Sequence, residues 1–301
     1  MLELLATSPG VLVGTALVLG LVVGSFLNVV IHRLPVMLER QWREQCAELS
    51  ADAAAATVPA SAPQRFNLIV PRSACPSCGA PIKALQNIPL LSWLVLRGRC
   101  ASCRKPISVR YPLVEALTGI LFASVAWRYG FGWPTLLALV LTAYLIALTF
   151  VDIDHQLLPD SLTLSLLWIG LFLSLWGPQR GGAPIPVDAR SSLIGAMAGY
   201  ASLWSVYHLF RLLTGKEGMG YGDFKLFAAL GAWLGWKTLL PIILIAATVG
   251  AIVGIAVITL RKQHRSVPIP FGPFLAVSGW LMLMFGERLV ASYFGLFAAH
   301  R

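Results

Sequence analysis

Apolar residues run along this chain in long blocks separated by short polar breaks. A helix needs about 20 apolar residues to cross a bilayer, and approximately eight blocks qualify, at roughly residues 11–31, 113–127, 134–151, 161–176, 192–213, 223–236, 238–260 and 271–297. The second, fourth and sixth are short. The pattern predicts an all-α polytopic membrane protein with about eight transmembrane helices and a small polar insert, of about 80 residues, between the first two. The expected division is a first transmembrane helix over 1–32, a soluble domain over 33–112, and a membrane domain over 113–301. Inside the insert, "VMLERQWREQCAEL" has helical character, and the Ala-rich "SADAAAATVPASAP" that follows reads as a linker or frayed helix end. No internal repeat is apparent at any fixed period, and "GPQRGGAPIPVD" reads as an external loop.

Composition agrees with the pattern. Of the 301 residues, 57% are hydrophobic and 12% charged, well short of the roughly 25% charged content of a soluble domain. The net charge of +10 would suit nucleic acid, but the placement of the charges gives another reason for it. Lys and Arg gather between Arg33 and Arg110, at Arg211 and Lys216, and in "RKQHR" from Arg261 to Arg265. With the N-terminus outside, all three groups face the cytoplasm, as the positive-inside rule requires, and no nucleic acid is needed. The opening "MLELLATSPG" lacks the basic start of a signal peptide, so the first apolar run is expected to persist as a helix.

The insert carries "CPSC", Cys75 to Cys78, and "CASC", Cys100 to Cys103. Each pair offers two thiolates from a tight turn, and two such knuckles can close a tetrahedral zinc site. Four protein ligands leave no open position for water, so the metal is expected to be structural, a staple for a small domain. Cytoplasmic placement disfavours disulfides. Cys46 reads as an ordinary helix-face residue.

Ionisable groups in apolar blocks are costly and call for a functional hypothesis. "TFVDIDHQLLPDSL" places Asp152 and Asp154 at the end of the third span and Asp160 at the start of the fourth; "GMGYGDFK" places Asp223 at the start of the sixth. The topology puts Asp152 and Asp223 at the same cytoplasmic level, where they can face each other. Two adjacent carboxylates cannot both ionise easily, so they share a proton; one can activate water while the other protonates a carbonyl, which is aspartic-protease chemistry. Gly220 and Gly222, without Cβ atoms, permit positive φ and close approach of an extended substrate. Asp160 after Pro159 is most simply an N-cap; Asp154 and His155 have a solvated interfacial reading beside the functional one.

Together these residues resemble the bacterial prepilin peptidases, or type IV leader peptidases, intramembrane aspartic proteases of the GxGD type. The resemblance covers nearly the whole chain: "GSFLNVVIHRLP", the cysteine knuckles, "NIPLLSWLVLRGRC", "ISVRYPLVEALT", "DIDHQLLPD", "GMGYGDFKL" and "IPFGPFLA", in family order. It implies cleavage of the basic leader from type IV prepilins and type II secretion pseudopilins at the cytoplasmic face of the bacterial inner membrane. It further implies N-methylation of the new N-terminal residue with S-adenosylmethionine. The first catalytic aspartate matches Asp152, which stands seven residues before Pro159; the second matches Asp223, with Asp154, Gly220 and Gly222 in support.

The residues alone do not suggest S-adenosylmethionine, since no strand-borne glycine fingerprint occurs. The resemblance points to Arg97, Gly98, Arg99 and Glu115 as methyl-transfer candidates; Glu115 can hold the substrate amine or pair with Arg110. The partners implied are the pilin substrates and the lipid bilayer, and nothing in the sequence sets an oligomeric state. Two alternatives stand beside this reading. A proton-coupled transporter relaying protons through the same acids would want them near the midplane rather than at one interface. A non-catalytic secretion-machine scaffold would have no use for both aspartates.

Overall fold

The structure, a computed structural model, describes residues 2–51, 66–177, 185–261 and 269–298. Most of the Ala-rich linker and of the "RKQHR" cluster, and part of the 177–188 loop, lie outside the described residues. The regular structure of the described residues is helical, apart from two isolated β-bridges in the non-helical turns of the insert. In order the helices are α1 (Leu2–Thr7), α2 (Pro9–Ala51), α3 (Leu91–Val95), α4 (Arg110–Tyr129), α5 (Trp133–His155), α6 (Asp160–Ser174), α7 (Ala189–Thr214), α8 (Tyr221–Leu234), α9 (Leu239–Arg261) and α10 (Gly272–Ala298). Each expected apolar block falls on one of them. Three helical stretches are long and apolar enough to cross a membrane, Pro9–Leu49, Trp133–His155 and Trp236–Val257; Asp160–Ser174 and Gly272–Gly286 are shorter apolar helices.

The chain forms two compact units, residues 14–123 and residues 1–13 with 124–301. In the smaller unit, α2 continues without a break past residue 32 and through Pro35 to Ala51. Proline already has a helical φ, and its cost is one lost hydrogen bond and a local clash, which the flanking helix-forming sequence absorbs. Gly20 and Gly24 of α2 press against α4: a Cβ on Gly20 would stand 2.7 Å from the Thr118 carbonyl, and one on Gly24 2.8 Å from the Glu115 Cα. Small residues one turn apart let the two backbones approach, the usual device of helices in lipid. One turn further, Asn28 donates to the Tyr111 carbonyl at 3.1 Å. Arg33 donates to the Asn67 carbonyl at 3.0 Å, which ties the insert to α2.

The insert does contain a repeat, contrary to the sequence reading. "SACPSCGAPI" (73–82) and "GRCASCRKPI" (98–107) adopt the same fold of chain. Cys75 and Cys100 accept from Gly79 and Arg104 at 2.9 Å, and donate to Ala80 and Lys105 at 2.9 Å. Ile82 and Ile107 close the loops onto Ser73 and Gly98 at 2.9 and 2.7 Å. Gly79 and Arg104 both have positive φ, 70° and 56°. Glycine stands at that place in one copy and arginine in the other, while Cys-x-Ser-Cys-x-x-Pro-Ile is common to both.

In the larger unit α8 is the centre. From Leu226 to Leu234 every residue is buried. Gly195 and Gly199 of α7 sit on its backbone, where a Cβ on Gly199 would lie 2.8 Å from the Phe227 carbonyl; Gly170 of α6 makes room for Trp233, whose indole donates to the Leu166 carbonyl at 2.8 Å. At 14 residues, α8 is only about 21 Å long. Surrounded by other helices, it needs no polar face, which is why its one buried acid stands out.

Candidate active site and metal centre

Asp152 lies in the last turn of α5 and Asp223 in the first turn of α8, exposed by only 5% and 6%. Gln156 ends α5 in the left-handed conformation, φ 50°, with its amide returned to the Asp152 carbonyl at 2.9 Å. Gly220 caps α8 without a side chain. The Asp223 amide donates to the Gly220 carbonyl at 3.2 Å, and the Asp223 carboxylate turns back to the Gly220 backbone. The acid thus stands at the third helical position and turns back to the N-cap backbone, the one half of a capping box that a glycine N-cap allows. The two carboxylates are close enough for each charge to act on the other. Asp223 Oδ1 is buried without a hydrogen-bond partner among the described residues. An unmet acceptor of this kind costs about 1–3 kcal/mol, and such exceptions call for a functional explanation.

A third element completes the site. The Phe271 carbonyl accepts from the Phe274 and Leu275 amides at 3.0 and 3.2 Å, so α10 begins at Gly272, and Pro273 has no amide. The free Gly272 amide faces the Asp152 carboxylate. A Cβ on Gly272 would stand 2.5 Å from Asp152 Oδ2 and 3.1 Å from Leu158 Cδ1. Leu158 also fills the side of Gly222, where a Cβ would lie 2.6 Å from its own Cβ. Gly272 and Leu158 were missed as site residues. Gly272 lies in the quoted "IPFGPFLA", but only the fold reveals which side chain its bare Cα meets.

The two loop glycines act otherwise than the sequence reading supposed. Neither has positive φ; Gly220 is extended at −82°. Gly222 is needed for Leu158, whereas Gly220 meets nothing nearer than Asp223 Oδ2 at 3.8 Å and keeps an open flank. Asp154 and His155 are exposed; two residues along the helix turn Asp154 about 200° from Asp152. Asp160 is not the N-cap expected. Pro159 holds that position, and Asp160 pairs with Lys225 Nζ of α8 at 2.6 Å.

In the insert, the sulfurs of Cys75, Cys78, Cys100 and Cys103 lie within 4.8 Å of one another, and Cys75 to Cys103 is 3.9 Å. Thiolates around a tetrahedral metal at about 2.3 Å stand about 3.8 Å apart, so the donor set and spacing fit a metal ion. Amides of Ser77 and Cys78 pull the Cys75 thiol down to about 6, and those of Cys103 and Ser102 lower Cys100. The Ala80 amide favours the Cys78 thiolate, yet the Cys75 sulfur beside it and burial push that thiol up to about 11. Four sulfurs gathered this closely, with the Cys75 and Cys100 thiols held below the ordinary value, suit a cation among them.

Residues 18–129 match the family described as the bacterial peptidase A24 N-terminal domain, and residues 139–255 match the type IV leader peptidase family. A prepilin leader peptidase/N-methyltransferase of Aeromonas salmonicida is 54% identical over 293 residues, 97% of each chain. The chain belongs to the type IV leader peptidase family. Proteins of the same description from Aeromonas hydrophila and Pseudomonas aeruginosa are 53% and 48% identical, each over 97% of both chains. No solved structure matches.

In this leader peptidase the four methyl-transfer candidates form one folding unit. Arg97 and Gly98 both have positive φ, 51° and 67°, and reverse the chain after α3. A Cβ on Gly98 would lie 2.8 Å from Trp93 Cζ2. Glu115, 9% exposed on α4, accepts from the Leu90 amide at 2.8 Å, while Arg97 and Arg99 are exposed. The described residues contain no strand, and hence no strand-borne glycine loop to cradle a nucleotide.

Proposed function

We infer that this chain is a prepilin leader peptidase and N-methyltransferase: it removes the leader of type IV prepilins and methylates the amine so exposed. Peptide hydrolysis is assigned to Asp152 and Asp223. One carboxylate takes a proton from water, and the water oxygen attacks the scissile carbonyl. The other carboxyl gives its proton to the carbonyl oxygen, and collapse passes a proton to the leaving amine. The Gly272 amide fixes Asp152, Leu158 walls the pair with apolar surface, and the open flank of Gly220 takes the extended substrate. The observation that carries this assignment is the burial of two interacting carboxylates, one with an unpartnered oxygen, at the meeting of α5, α8 and α10.

The remaining assignments belong to the same reading. The protein crosses the bacterial inner membrane about eight times, with a first helix over 1–32, a cytoplasmic domain over 33–112 and a catalytic membrane domain over 113–301. Exposed Tyr111 and Trp127, about 24 Å apart along α4, suit the aromatic belts of a spanning helix. The four cysteines hold structural zinc, a closed shell that stabilises the domain and supplies no reactive water. S-adenosylmethionine is the methyl donor and a co-substrate. Arg97, Gly98 and Arg99 are candidates for its site, and the second oxygen of Glu115 is offered to the substrate amine. Pseudopilins of type II secretion are the second substrate class. The test is incubation of the purified protein with prepilin and S-adenosylmethionine, followed by intact mass. Loss of the leader with gain of one methyl group is expected; an unchanged mass would favour the transporter or scaffold alternative.

A further inference from the structure

The insert presents apolar side chains that neither zinc binding nor catalysis uses. Leu91, Leu94 and Val95 of α3 are exposed by 60%, 61% and 80%, and Ile88 just before them by 40%. No residue of α3 is buried. The helix is nevertheless pinned at both ends. The Leu90 amide is held by Glu115 of α4 at 2.8 Å, Trp93 packs beneath Gly98, and the Gly98 amide returns to the Trp93 carbonyl at 2.8 Å. Five residues fixed in this way, with their leucines outward, form a built apolar surface rather than a frayed end.

Two observations identify what covers it. The first is position. Glu115 lies about 6 Å along α4 from Tyr111, the exposed tyrosine at the headgroup end of that helix, and Leu113 beside it is 51% exposed. The Glu115 bond therefore holds α3 at the depth where α4 enters lipid. The second is charge. The chain that leaves α3 carries Arg97, Arg99, Arg104 and Lys105, all exposed, and the second knuckle is basic where the first has Gly79 and Ala80. Leucines flanked by Arg and Lys are the composition of an interfacial anchor on anionic lipid, and a basic rim repels rather than attracts a basic leader peptide. We propose that α3 and the second knuckle dock on the anionic cytoplasmic leaflet, with Leu91, Leu94 and Val95 in the headgroup–acyl boundary and Arg104 and Lys105 on lipid phosphates. This rests on reading α2 and α4 as spans.

The test uses the full chain in nanodiscs of phosphatidylcholine, with and without phosphatidylglycerol, each doped with a phospholipid bearing a diazirine near the acyl carbonyl. Photolabelled peptides are read by mass spectrometry. In phosphatidylglycerol discs the 88–99 peptide is expected to label comparably to peptides from α4 and α9. Leu91→Gln with Leu94→Gln should lower its labelling about fivefold or more, with zinc content and α9 labelling unchanged as evidence of folding. Arg104→Gln with Lys105→Gln should lower it about fivefold in phosphatidylglycerol discs and little in pure phosphatidylcholine. An unlabelled 88–99 peptide beside labelled α4 overturns the proposal, whether a second copy, another protein or the rest of the chain covers the surface. An unlabelled α4 overturns the span reading instead.

Discussion

The cysteine centre and the carboxylate pair are built on opposite plans. All four sulfurs come from two short turns that repeat one backbone pattern, and each turn fixes its pair through its own amides. The acids come from the end of α5 and the start of α8, and they are held by Gly272 of α10 and by Leu158 from the segment after α5. A locally made site depends on its ligands and its ion. A site made where helix ends meet depends on residues with no chemistry of their own, whose small size sets where the acids stand. The two centres should therefore fail differently.

The largest effect is expected at the acids. Asp152→Asn or Asp223→Asn removes a proton acceptor from the pair and should slow leader cleavage by about 10³-fold or more, measured as initial rates on purified prepilin. Next comes the metal. Cys75→Ser or Cys103→Ser should lower the content from about one zinc per chain to near none and expose the insert to protease, since structural zinc contributes folding energy outright. Unchanged zinc in both variants would reject the ligand set. Chelation of wild-type protein should have the same effect on the insert.

A smaller effect separates the two plans more sharply. Gly272→Ala adds one carbon 2.5 Å from Asp152 Oδ2, so the carboxylate or the start of α10 must shift. Displacement of a reacting group by an ångström costs about 100-fold; kcat should fall between about 10- and 100-fold with KM changed by about twofold or less. A wild-type kcat would remove Gly272 from the site. The smallest effect belongs to the ion pair between α6 and α8. With Asp160 60% and Lys225 24% exposed, Lys225→Gln should cost about 1 kcal/mol or less in thermal unfolding, with cleavage nearly unchanged.

This contrast also governs what was legible in the sequence. The cysteines could be read because ligand type and spacing lie within each knuckle. Their repeat shows as Cys-x-Ser-Cys-x-x-Pro-Ile in both copies, but two copies set no fixed period, and the shared backbone, with Gly79 and Arg104 both at positive φ, is what makes it plain. The helices were legible as apolar blocks, although the continuation of α2 through Pro35 was not: a proline announces a break whose cost tertiary context can absorb. Asp152 and Asp223 stood out as charges in apolar surroundings. Gly272 and Leu158 did not, since an unremarkable glycine and leucine acquire a role only from what they touch. The role given to Gly222 was misjudged for the same reason; its bare side receives Leu158 rather than a substrate.

The central claim is that cleavage resides in the carboxylate pair while methyl transfer makes separate demands. An amine held in line with a bound donor does not require either aspartate. The direct measurement gives folded, zinc-loaded Asp223→Asn protein both intact prepilin and a pilin already cleaved, with S-adenosylmethionine, and reads each product by intact mass. The prepilin should keep its leader and the cleaved pilin should gain one methyl group. Leader loss at the wild-type rate would contradict the protease assignment, and a cleaved pilin left unmethylated would contradict the separation of the two chemistries.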